Sequence, residues 1–209
     1  MGQSKRHNMA DKTWTPGDDE LLERSRSGDM DAFGLLINKY QDRLFNAMLR
    51  MVYNYDDAQE LTQDAFVRAL QSVDKFRGNS GFYTWLFRIG MNLGINFHRR
   101  RTGKVRFVDL QAERPDRLGR QADGLLNLAD QHNPLPAEHA QTREMHQRVL
   151  WALQNLEGPA RAVVVLRDIE DLDYSDIAEI LDLPVGTVKS RLFRARMTLR
   201  KMLNEPEGQ

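Results

Sequence analysis

Four carboxylates stand close together in the first half of the chain: Asp56, Asp57, Glu60 and Asp64. On a helix, Asp57, Glu60 and Asp64 share one face, a spacing that could hold magnesium for phosphate-ester hydrolysis. The surroundings argue against that chemistry. No His joins the group, and neither a Lys nor a phosphate-cradling Gly-rich loop adjoins it. The five His, at positions 7, 98, 132, 139 and 146, have no HExxH or related ligand spacing. The chain has no Cys, hence no thiolate nucleophile, thiolate metal site or disulfide framework. The expectation is a protein that is not an enzyme and carries no metal or cofactor.

The chemistry of recognition is better represented. The stretch FRGNSGFYTWLFRIGMNLGINFHRRR joins a Gly-rich loop, an aromatic cluster (Phe82, Tyr83, Trp85, Phe87) and a basic helix end. Aromatic rings interleaved with positive charge suit single-stranded nucleic acid, because bases stack on rings while phosphates pair with Arg. Asn92 and Asn96 add groups that can bond base edges. Trp85 lies on an apolar stripe with Ile89, Leu93 and Phe97 and is expected in the core, whereas Tyr83 and the loop are read as functional. Further on, YSDIAEILDLPVGTVKSRLFRARMTLR reads as a helix-turn-helix. Its first helix spans about Ser175 to Leu181, Asp182-Leu183-Pro184 make the turn, and the second helix runs from Val185 to about Leu199. Ile177, Ala178 and Leu181 should pack on Val188 and Leu192. The outward face then offers Thr187, Lys189, Ser190, Arg191, Phe193, Arg194 and Arg196 to a major groove.

These motifs need scaffolds. The chain has 209 residues, of which 41% are apolar, enough for one or two domains with real cores. It holds no apolar run long enough to span a membrane, and no apolar stretch follows Lys5 and Arg6 as a signal peptide would require. The 30 basic and 30 acidic residues cancel overall but are segregated. Gly78 to Phe107 and Leu183 to Asn204 contain no acid, and Asn54 to Phe66 contains no base, which points to separate faces for separate partners. Ala58, Leu61, Ala65, Phe66, Ala69, Leu70 and Val73 recur at helical spacing, with Asp57 and Glu60 as a capping box. Pro159 suits the first turn of a helix reaching Asp168. No alternation marks a strand. The fold class expected is all-α: a disordered tail over 1–17, a helical domain over 18–104, a flexible linker over 105–136 with one short helix near Leu125–Leu128, and a second helical domain over 137–204.

DAQELTQDAFVRAL, FRGNSGFYTWLFRIGMNLGINFHRRR and LPVGTVKSRLFRARMTLR together resemble an extracytoplasmic-function (ECF) sigma factor, of the RpoE-like kind in the sigma-70 family. The resemblance covers nearly the whole chain, with region 2 first, region 4 last and no region 3 between. It implies a cytoplasmic factor that binds core RNA polymerase and promoter DNA, as duplex at −35 and single strand at −10, and that is held by an anti-sigma factor. By position it implies polymerase docking through Asp57, Glu60, Gln63 and Asp64 on the Asp57–Arg68 helix. It implies −10 contacts from Asn79, Ser80, Phe82, Tyr83, Asn92, Asn96, Arg99 and Arg100, with the Gly78–Gly81 loop capturing a flipped base. Thr187, Lys189, Ser190, Arg191, Phe193 and Arg194 fall at −35-reading positions, and the linker matches the segment that threads toward the active centre and RNA exit path. Gly90 and Gly94 stand where such proteins often carry Ala. An ordinary helix-turn-helix repressor would share the last motif but needs neither an acidic docking helix nor a stacking loop. The long polar linker further leads one to expect compact states of the free protein that partly hide the DNA-reading faces.

Overall fold

The computed structural model describes residues 16–78, 80–105 and 139–204. Local signals set most helix ends. In α1 (Pro16–Arg26), Pro16 opens the first turn, and acids at the start with Arg24 and Arg26 at the end complement the helix dipole. Asp18 is fully buried; it accepts the Lys39 ammonium at 2.6 Å and the Tyr40 hydroxyl, tying α1 to the next helix. In α2 (Met30–Val52), the Asp29 carboxylate caps the start by accepting from the Ala32 N–H at 3.1 Å. The helix stops at Tyr53, whose φ of 55° is a left-handed conformation rare for a bulky side chain.

The third helix, α3 (Tyr55–Gln71), begins earlier than its expected capping box. Asn54 takes the cap, accepting from the Asp57 N–H at 2.9 Å, so Asp57 lies inside the first turn rather than at its mouth. A 3-10 turn (Val73–Lys75) leads to the loop before α4 (Phe82–Val105). The second group comprises α5 (His139–Gln154), α6 (Gly158–Val164), a π-helical turn (Val165–Ile169), α7 (Tyr174–Leu181) and α8 (Val185–Asn204). The described residues contain no strand. The tail up to Trp14 and Thr15, and the linker from Arg106 with its expected short helix, lie outside the described residues.

The buried stripe of α4 differs from the expected one. Trp85, Ile89, Leu93 and Phe97 are only half-buried, while Phe82, Tyr83, Leu86, Phe87 and Met91 are sealed. Gly90 and Gly94 continue this sealed face and let α4 approach α2 closely. A Cβ on Gly90 would lie 2.8 Å from the Leu44 Cδ1, and one on Gly94 would lie 3.2 Å from the Met51 Cβ. The glycines are therefore packing residues. Gly94→Val should lower stability by about 1–3 kcal/mol, because Met51 meets it near the main chain and cannot swing aside. Thermal melting followed by circular dichroism reads this, and an unchanged melting temperature would show that α2 and α4 separate freely.

Both expected helical groups are present, and they are packed against each other. α4 runs along α6 and α7, and α2 meets the π-helical turn, so one continuous apolar core passes through both. At the seam Arg161, only 3% exposed, donates to the carbonyl oxygens of Leu153 and Leu156, both at 3.0 Å, of Gln154, and of Met51 in α2. Its guanidinium also lies 5.2 Å from the centre of the Tyr53 ring.

Candidate polymerase and promoter interface

The apolar face of α3 is buried through Ala58, Leu61, Ala65, Phe66 and Ala69, which turns the acids outward. Glu60 and Gln63 are exposed. Asp64 pairs with Arg68 one turn on, at 3.2 Å, and the half-buried Asp57 lies 3.8 Å from Arg101. Val67 follows at the same helical spacing and is half exposed. It places an apolar side chain on the acidic face, which the periodic set read from the sequence did not include.

The loop before α4 is pinned from α1. The Arg26 guanidinium donates to the Val73 carbonyl at 3.3 Å and to that of Phe76. Gly78 has a φ of 70°, which a side chain would strain. Beside it opens a groove of about 830 Å³, bordered by Asp19, Glu23, Arg26, Asp74, Phe76 and Gly78. Ser80 is half-buried; Asn79 lies outside the described residues.

Phe82 departs from its expected role. It is fully buried among Phe33, Tyr40, Phe76 and Trp85, and is a core residue, not a stacking platform. Tyr83 is also sealed. Its ring lies 4.1 Å from Phe87 and beneath the Arg43 guanidinium, 4.3 Å away, and its hydroxyl donates to the Glu170 carboxylate at 3.4 Å. Burial first, and the Glu170 charge second, push its phenol above the ordinary value. The expectation of an accessible ring at Tyr83 is thus not met in this arrangement. Further along α4, Asn92, Arg99 and Arg100 are exposed and Asn96 is half-buried.

The helix-turn-helix forms with the expected boundaries at its turn. Asp173 caps α7, accepting from the Asp176 N–H at 2.9 Å. Asp182 adopts the left-handed conformation that ends α7, a state its short polar side chain tolerates. Leu183 N–H then returns to the Ala178 carbonyl at 2.9 Å, and Thr187 N–H starts α8 from the Pro184 carbonyl at 2.8 Å. Ile177 packs with Val188 and Leu192 as expected. Ile180 and Ala195 join them, while Ala178 and Leu181 sit only half-buried at the rim. Lys189, Ser190, Phe193 and Arg194 are exposed together, Phe193 to 66%, and Thr187 and Arg191 are half-buried. Phe193 thus presents an open aromatic ring on a basic helix. Arg196 differs from its neighbours because Asp168 holds it through two hydrogen bonds.

A helix-turn-helix with an exposed basic recognition helix, joined to a bundle bearing an acidic face and a basic helix end, is the architecture of a DNA-reading transcription protein. The sigma-70 region 2 family model matches residues 36–104, and the sigma-70 region 4 model matches residues 146–199. The RNA polymerase sigma-H factor of Pseudomonas aeruginosa is 38% identical over 89% of this chain and 93% of its own. The ECF RNA polymerase sigma-E factor of Escherichia coli K12 is 36% identical over 86% of this chain and 90% of its own. Among solved structures, CnrH in complex with the cytosolic domain of CnrY aligns with a TM-score of 0.63 at 27% identity, covering 90% of this chain and 97% of that one. The sigma factor RpoE of Bartonella quintana, in complex with the anti-sigma factor NepR, aligns with a TM-score of 0.58 at 25% identity, covering 82% and 96%. The chain belongs to the extracytoplasmic-function group of the sigma-70 family, and is a transcription initiation factor that directs promoter-specific transcription by RNA polymerase.

Proposed function

We propose that the exposed acidic face of α3 docks on core RNA polymerase, that the loop and basic end of α4 engage the melted −10 element, and that α8 reads the −35 duplex. The observation that carries this reading is the separation of three exposed surfaces of different chemistry on one small helical chain. Glu60, Gln63 and Asp64, with Asp57 at the rim, supply the polymerase contact. Ser80, Asn92, Asn96, Arg99 and Arg100, with Asn79, supply the −10 contacts. Lys189, Ser190, Phe193 and Arg194, flanked by Thr187 and Arg191, supply the −35 contacts. The two solved structures named with CnrY and NepR support an anti-sigma partner for this chain as well. The described helices include none long and apolar enough to cross a membrane, and the working compartment is the cytoplasm, where polymerase and promoters are.

The docking assignment has a direct test. Converting Glu60 and Asp64 to Lys should abolish binding to core polymerase at physiological salt while leaving the helical signal intact, since both project from the surface. Core binding retained by the double variant would move the docking face elsewhere.

A further inference from the structure

Tyr174, the first residue of α7, has no place in the assignments above. Its main chain is held from both sides. Leu172, 1% exposed, anchors the connection before it, and the Leu172 N–H returns to the Leu166 carbonyl at 3.1 Å. Asp173 caps α7 and also accepts from the Ser175 hydroxyl at 2.7 Å. The ring so placed is half-buried and meets two cations. The Arg167 guanidinium lies 5.3 Å from its centre and the Lys189 ammonium 5.4 Å. Arg167 is itself fixed, donating to the Leu172 carbonyl at 2.6 Å with the Asp171 carboxylate 3.8 Å away. Lys189 stands exposed in the N-terminal half of α8, and among the described residues no carboxylate pairs with it.

How a cation is held decides what it can still do. Lysine is a point charge on a flexible four-carbon stem, and a stem left loose swings among phosphates and base edges, adding affinity without choice. Arg196 shows one way of fixing a cation on this helix: the Asp168 carboxylate holds it and offsets its charge. An aromatic face orients a cation too, but leaves its full charge and its N–H donors for another partner. The N-terminal half of a recognition helix is the part that reaches base edges in the major groove. We propose that Tyr174 is a positioning residue for −35 readout: its ring, braced by Arg167, aims the Lys189 ammonium at one base pair. The inference rests on the −35 role of α8 proposed above, and it adds a residue of the preceding helix to the determinants of promoter choice.

The test uses the full chain with core polymerase and a randomised −35 library. Lys189→Ala should relax preference at one base pair. Tyr174→Leu should relax the same base pair about two- to fivefold, the worth of one exposed cation–π contact, while Tyr174→Phe keeps the wild-type profile. Tyr174→Leu added to Lys189→Ala should relax nothing further, a non-additivity that general loosening of the fold would not produce. A second measurement needs no variant to fold. In the free wild-type chain, the ring current of Tyr174 should move the Lys189 ε-methylene protons upfield of the usual lysine position in NMR spectra. Protons at the usual position overturn the positioning, as does a wild-type base profile in Tyr174→Leu when Lys189→Ala is relaxed. Equal losses across all sequences in Tyr174→Phe and Tyr174→Leu also overturn it, because the hydroxyl would then be the contact. Preferences untouched by Lys189→Ala would overturn the base-reading role given to Lys189 in the proposed function, and the positioning with it.

Discussion

Arg161→Ala should be among the most damaging single substitutions in the chain, lowering stability by about 3–5 kcal/mol. The residue is buried, and burial pushes its guanidinium below the ordinary value, yet among the described residues no carboxylate pairs with it. Its charge is met by carbonyl oxygens from the end of α5, the connection that follows and the last turn of α2. Carbonyls at helix ends have no partners within the helix and carry the negative end of its dipole, so a planar five-donor cation suits them. Truncation leaves several buried acceptors unmet, at about 1–3 kcal/mol each before water and relaxation recover some of the loss. Arg161→Lys keeps the charge but cannot fork to so many acceptors, and should fall between. Urea titration followed by helical circular dichroism gives the comparison. A loss under about 1 kcal/mol for the Ala variant would mean that solvent already reaches these carbonyls.

The second large effect concerns promoter choice. Arg194→Ala should relax preference at a single −35 base pair by about 1–3 kcal/mol, because the exposed guanidinium shares its face with Lys189, Ser190 and Phe193. Arg200→Ala should weaken transcription evenly across sequences and reduce the salt dependence by about one phosphate contact. Arg196, which the sequence places on the outward face with Arg194, is already engaged by Asp168, so its removal should matter less for DNA than that of Arg200. A randomised −35 library transcribed at two salt concentrations distinguishes the cases. Should Arg194→Ala scale every sequence down alike, the reading face lies elsewhere on α8.

Much of this was legible in the residues. Periodicity placed α3 and α8, Pro159 placed the start of α6, and the three motifs together gave the family. The errors share a physical origin. Stepping by four from Trp85 picked a half-buried stripe of α4, because Gly90 and Gly94 carry no hydrophobic signal although they lie on the sealed face. Asn54 won the cap of α3 because it precedes the helix in extended conformation, which composition does not reveal. Above all, contacts between residues 127 positions apart, such as Arg43 with Glu170, leave no local trace. The sequence therefore led to compact states in general terms but not to the burial of Tyr83.

The π-helical turn at Val165–Ile169 has a consequence for chain length. Its wider loop, closed by the Glu170 N–H on the Val165 carbonyl at 3.0 Å, accommodates one more residue than an α-turn would. Asp168 consequently reaches Arg196 within its own helical group while Glu170, two residues on, reaches Arg43 in the other. Each residue of a helix turns the chain by about 100°, so a one-residue deletion here would aim both carboxylates away from their arginines at once. In this chain the stretch is therefore a counted spacer, in which losing one residue changes geometry even when all its neighbours are retained.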